Sequence, residues 1–180
     1  PRDPHHEARS TPALGRLIFV ATTFLAAFLI FLVQPMVGKR LLPWFGGAPG
    51  VWTVCLAFYQ TALFAGYAYA HFVIRVVPAR LQVGLHSVLV AAALFAPSVL
   101  PERDVLADAA SSPEAEILML LVRHVLLPFI VLAATGPLVQ AWFARRYPDR
   151  SPYPLYAVSN FGSMLALFIY PFVLAGCRKT

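Results

Sequence analysis

LIFVATTFLAAFLIFLVQPMVG, residues 17–38, runs for 22 residues without an Asp, Glu, Lys or Arg. A hydrocarbon core about 30 Å thick is crossed by about 20 apolar residues, so this run is long enough to span a bilayer. The rest of the chain repeats the pattern. Apolar runs follow at Val51–Ile74, Leu81–Leu100, Ile117–Phe143 and Tyr153–Gly176. Only the fourth holds a charged residue, Arg123 beside His124, close enough to its start for the guanidinium to snorkel to the headgroups. With 59% hydrophobic and 12% charged residues among 180, the chain is far more apolar than a soluble domain, in which about 25% of residues are charged. The expected fold class is an all-α polytopic transmembrane helix bundle of about five spans. It occupies residues 17–176, with a polar tail at 1–16 and a short one at 177–180.

The first run is longer than the apolar core of a secretion signal and ends on Gly38-Lys39-Arg40 without a small-residue cleavage site, so it reads as an anchor. After it, Pro43, Gly46-Gly47 and Pro49-Gly50 oppose a continuous helix and supply turn conformations. A tight interfacial loop is expected there. Trp44 and Trp52 are its headgroup-level anchors, and Trp142 has the same part at the end of the fourth run. Phosphate binding is not the expected reading of these glycines, since there is no G-x-G-x-x-G and Gly38-Lys39 lacks the following Ser or Thr of a P-loop. Pro128 and Gly136-Pro137 should bend the fourth run.

An inner N-terminus places Arg2, Arg9, Arg16, Arg75, Arg80, Arg145, Arg146 and Arg150 inside, eight of the 14 Lys and Arg. The bias favours an inner N-terminus and an outer C-terminus. Arginines scattered at span ends also account for the net charge of +6 without any nucleic acid.

Polar residues within the runs are the candidate site, because polar groups in hydrocarbon are costly and face protein or a cavity. His71 and His86 lie four residues before Arg75 and six after Arg80, both about 6–9 Å inside the same face. Paired across a hairpin they would suit a haem, pigment or metal, or a proton relay. The favoured reading is plainer, a hydrogen bond from each to a carbonyl or a neighbouring helix. His124 is read as interfacial, and His5 and His6 as solvated. Gln60, Gln140 and Asn160 lack an intramembrane carboxylate beside them, so interhelical hydrogen bonding is expected rather than a cation path. Two stripes of small residues, Ala62/Gly66/Ala70 and Ser159/Gly162/Ser163/Ala166, are expected to be seams of close helix packing, within the chain or with a partner, the first of them part of a partner surface. Cys55 reads as a small apolar residue, and Cys177 sits too late for a lipoprotein signal.

The stretches FLVQPMVGKRLLPWFGGAPGVWTVCLAFYQTALFAGYAYAH and ATGPLVQAWFARRYPDRSPYPLYAVSNFGSMLALFIYPF resemble the N-terminal membrane half of bacterial fused spermidine-synthase-like proteins. The resemblance covers roughly residues 15–173 and implies a set of spans that precedes a soluble aminopropyltransferase-like domain. The 180 residues themselves hold no glycine-rich dinucleotide turn and only eight acids, so they are not expected to catalyse aminopropyl transfer. The function expected is that of a non-catalytic subunit in the bacterial inner membrane. Its partners are the lipid bilayer and other membrane proteins of a larger complex, such as a respiratory or photosynthetic one. The alternatives are a small transporter or polyamine-binding module and the membrane part of an aminopropyltransferase-like enzyme.

Overall fold

A computed structural model describes residues 4–95 and 112–176, with side chains over 13–95 and 112–172. The described residues form six helices: α1 (Pro4–Phe45), α2 (Pro49–Val76), α3 (Ala79–Leu94), α4 (Pro113–His124), α5 (Leu126–Arg146) and α6 (Tyr153–Gly176). The protein is an all-helical bundle. Four helices, α1, α2, α5 and α6, are long and apolar enough to cross a membrane. α3 has 16 residues, about 24 Å at 1.5 Å per residue and so shorter than a hydrocarbon core. The remainder of the third apolar run, residues 96–100, lies outside the described residues, as do most of the acidic loop at 101–116 and the polar end at 177–180.

The ends of the helices sort into two faces. At one, the Tyr147 hydroxyl just beyond α5 would stand 2.9 Å from a Cβ on Gly15 of α1. There Trp142 of α5 also bonds Gln82 in the first turn of α3, and Arg16 shares a groove with Arg150 and Ser151 ahead of α6. At the other, the first turns of α2 and α4 meet, with a Glu114 oxygen 3.2 Å from a Cβ on Gly50, and Tyr170 of α6 donates to the Pro35 carbonyl of α1 at 2.8 Å. α3 leaves from the first face and α4 starts at the second. Among the described residues α1, α2, the α4–α5 pair and α6 each run from one face to the other. Arg16 and Lys39 lie 23 residues apart along α1, about 35 Å, so a hydrocarbon slab of about 30 Å fits between the cationic ends.

Three expected boundaries move. α1 starts at Pro4, so most of the expected tail at 1–16 is helical. It also continues past Gly38 and through Pro43 to Phe45, because Val37 and Leu41 on these turns are fully buried against α2 and α4. Tertiary packing outweighs the local breakers. The loop shrinks to residues 46–48, where Gly46 takes φ +72° and its N–H returns to the Leu42 carbonyl at 2.9 Å, the left-handed cap that only glycine adopts freely. The fourth run, expected as one bent span, divides at Val125 into α4 and α5. Pro128 has no N–H to return to the His124 carbonyl, which is where the ladder parts.

α1 packs chiefly on α6 and α5, α2 on α5 and α4, and α3 mainly on α5. The small-residue stripes supply the closest approaches. A Cβ on Gly66 would stand 2.6 Å from Ala133 Cβ and 2.9 Å from the Ile130 carbonyl oxygen. The expected partner surface at Ala62/Gly66/Ala70 is thus a correction: all three residues are buried against the chain's own α5. Glycine and alanine let two backbones close to a distance at which many weak contacts form, and α5 already takes that place.

The stripe on α6 narrows to two of its four residues. A Cβ on Gly162 would stand 2.8 Å from the Phe24 carbonyl oxygen of α1, and Ala166, one turn further on, is fully buried on the same face. Since α1 is the helix on which α6 chiefly packs, Gly162 and Ala166 form a seam inside the chain and not a partner contact. Ser159 and Ser163 correct the expectation in a different way. Both are only half-buried at the edge of that seam, and the Ser163 hydroxyl donates to the Ser159 carbonyl of its own helix at 3.1 Å. A serine in a helix can satisfy its hydroxyl on the carbonyl four residues back, so Ser163 needs no second helix and binds none through that bond.

Candidate functional site

Of the sixteen residues of α3, Gln82 and His86 are the buried ones. Four positions apart, they share one face of the helix. Gln82 reaches the end of α2, its Nε2 donating to the Val77 carbonyl at 2.7 Å and the Val73 carbonyl at 3.1 Å. The last carbonyls of a helix have no partner within it, so this amide caps α2 from the next helix. Its Oε1 accepts from Trp142 Nε1 at 3.0 Å. One side chain thereby ties α2, α3 and α5 together.

His86 extends the tie one turn deeper. Its Nε2 lies 3.0 Å from Thr135 Oγ1, and the Thr135 hydroxyl spends its one hydrogen on the Val131 carbonyl at 2.8 Å. Thr135 must then accept, which assigns the hydrogen of a neutral imidazole to Nε2 and leaves Nδ1 with a bare lone pair. Among the described residues that Nδ1 is buried without a partner, as is the Tyr69 hydroxyl. The Tyr69 ring stacks on the imidazole at 6.1 Å and the Trp142 ring meets it edge-on at 6.1 Å. With Nε2 engaged and both rings in place, the imidazole turns no open side to a planar macrocycle. The geometry is that of a brace between helices.

No protein-family model, curated protein or solved structure matches the chain.

His71 and His86, which would have had to pair across a hairpin to hold a haem or pigment, are not brought together. His71 is exposed while His86 is buried. His71 follows Ala70, and one residue is a turn of about 100° on a helix. Since Ala62, Gly66 and Ala70 face α5, His71 faces away. His124, expected at the interface, is buried at the end of α4. Among the described residues no cluster of three or more His, Cys, Asp or Glu is spaced to hold a metal. Cys55 is buried with a free thiol in the apolar cluster around Phe58 and Phe129, and Cys177 lies outside the described residues, as do the side chains of His5 and His6.

The tryptophans divide. Trp52 is 43% exposed and its ring lies 3.3 Å from a Cβ on Gly38. Trp44 carries the Arg40 guanidinium 5.7 Å from its ring centre. Both stand at the level of Lys39 and Arg40, as interfacial anchors should. Trp142 is half-buried and spends its N–H on Gln82, so it belongs to the brace. Of the three amides read as interhelical glue, Gln140 is half-buried, whereas Gln60 and Asn160 are exposed on α2 and α6.

The residues that the sequence reading passed over are Gln82 and Thr135, while Tyr69, one of the tyrosines of GYAYAH and expected to pack beside the stripe rather than bind a ligand, stacks on His86. A signal was present for Gln82. Gln82 and His86 are spaced i, i+4, which places them on one stripe of a largely apolar helix. Thr135 carried none, since it becomes a partner only through contact with a helix 49 residues away.

Proposed function

We propose that this chain is a non-catalytic subunit of a larger membrane complex, seated in the bacterial inner membrane with its N-terminus inside. The observation that carries the reading is the outward aim of two amides at membrane depth. Gln60 stands 15 residues before Arg75 on α2 and Asn160 seven after Tyr153 on α6, about 22 and 10 Å in from the cationic end. Both are exposed, and neither has a hydrogen-bond partner among the described residues. An amide facing lipid tails forfeits its hydrogen bonds, whereas one facing another helix recovers them and adds about 0.6 kcal/mol or more to the association. The resemblance to the membrane half of spermidine-synthase-like proteins supports the same reading, in which this bundle anchors and positions something beside it.

Gentle detergent extraction followed by a native gel tests it. The protein is expected to migrate in an assembly larger than its own monomer, and Gln60→Leu with Asn160→Leu should shift it toward the monomer while the melting temperature of the isolated chain holds. A wild-type protein that runs as a monomer, or a double variant with unchanged mobility, would refute the proposal.

A further inference from the structure

α1 and α3 both lean on α5, and its last turns lie open between them. The opening is a groove of about 590 Å³ whose walls are Phe19 of α1, Ala79 and Val83 of α3 and Trp142 of α5. Its rim is Arg145 and Arg146. We propose that this groove binds the headgroup of an anionic phospholipid, with the first part of an acyl chain laid along Phe19, Val83 and Trp142.

Three features select that occupant. The first is charge. Arg145 and Arg146 are exposed, and neither forms an ion pair with a described side chain. Asp149, the nearest acid in sequence, lines a separate groove beside Arg16 and Arg150. Two guanidiniums that line one groove with no ion-pair partner among the described residues match a phosphate, with which arginine forms paired hydrogen bonds. The Arg146 guanidinium is also carried 5.6 Å above the Tyr147 ring, a contact that limits where it points.

The second feature is depth. Both arginines end α5, level with Gly15 of α1, at the cationic face where lipid phosphates lie. Below them the walls turn apolar toward the hydrocarbon, Val83 being 51% exposed there. A soluble anion would leave those walls against nothing, whereas a lipid covers them with its own chain. The third is rigidity. Trp142 Nε1 is held by Gln82, which caps α2, so the indole is already fixed when a ligand arrives. A floor ordered in advance lowers the entropy lost on binding.

The full chain in lipid nanodiscs provides the test. With Trp44 and Trp52 changed to Phe, Trp142 is the last of the chain's 3 tryptophans, and bromine on a nearby acyl chain quenches it. Brominated phosphatidylglycerol at low mole fraction in phosphatidylcholine is expected to quench on the order of tenfold more effectively than the same fraction of brominated phosphatidylcholine. That follows from about fivefold per arginine near an anionic surface, discounted for exposure. Arg145→Gln with Arg146→Gln should abolish the preference, and Arg145→Lys with Arg146→Lys should keep most of it. Equal quenching by the two lipids would overturn the proposal, as would a preference that survives the Gln pair. Removal of the preference by millimolar inorganic phosphate would assign the rim to a free anion and overturn it as well.

Discussion

At the arginine end, α3 is fastened to α2 and α5 by hydrogen bonds from Gln82, His86 and Trp142. At the opposite end, α1, α2 and α4 close on an apolar cluster in which Val37, Leu41, Ile117 and Leu121 are fully buried. The contrast follows the solvent. Leu41 and the residues after it lie past Lys39 and Arg40, beyond the hydrocarbon, where water and headgroups make burial of apolar surface favourable. His86, six residues in from Arg80, works against a surrounding of lipid tails, which are as apolar as leucine, and Gln82 stands where that surrounding begins. Among those tails helices gain nothing from hiding a methyl group, and close packing and polar contacts must hold them.

The heaviest blow to the membrane-embedded half is Gly66→Leu. A side chain cannot enter where even a Cβ meets Ala133 at 2.6 Å and the Ile130 carbonyl at 2.9 Å, so α2 and α5 must part. A loss of about 3 kcal/mol is expected, at the upper end of overpacking effects. It would be read as a fall in the denaturant midpoint in mixed micelles. An unchanged midpoint would mean that the α2–α5 seam is not the tight contact described here.

Leu41→Ala probes the water-facing end. The side chain is fully buried, and its truncation should lower stability by about 2–3 kcal/mol, as in a soluble core. If the loss falls below about 0.5 kcal/mol, in the range of ordinary surface substitutions, the cluster behaves like a lipid-facing one and the contrast between the ends collapses.

Gln82→Leu is the mildest of the three. It leaves the Val77 carbonyl and the Trp142 N–H without the partners shown at 2.7 and 3.0 Å. Orphaned polar groups cost about 1–3 kcal/mol, but intramembrane hydrogen bonds average about 0.6, so a loss near 1 kcal/mol is expected. Amide exchange of Val77 should quicken with it, because the cap of α2 loosens. Should this variant prove more damaging than Leu41→Ala, the polar end would be the stronger fastening and the ranking would reverse.

Much of the scaffold was legible because charge-free runs of about 20 residues admit few readings. α2 begins two residues before the expected Val51, and α6 matches its expected run from Tyr153 to Gly176. The break at Val125 was foreshadowed by Pro128, though as a bend rather than a parting of two helices. The site was less legible. His71 and His86 look equivalent in a list of intramembrane polar residues, and only the direction in which each helix turns its face separates the exposed one from the buried one. The same holds for the α6 stripe, where Ala166 is covered and Ser163 stands at the edge.

The amino-acid sequence by itself determined that the chain is a membrane-embedded helical bundle, roughly where its helices run, and where small residues permit close approach. Those properties are local, set by hydropathy summed over a span and by the size of single side chains. Only the tertiary structure decided that the Gly66 stripe is covered by α5 and the Gly162 seam by α1. It also decided that Gln82 caps the helix before its own, and that His86 finds Thr135. Lipid and a neighbouring helix are nearly indistinguishable to an apolar surface, so the choice between them is made by shape and by the few polar atoms that need partners, and both become visible only when the helices are assembled.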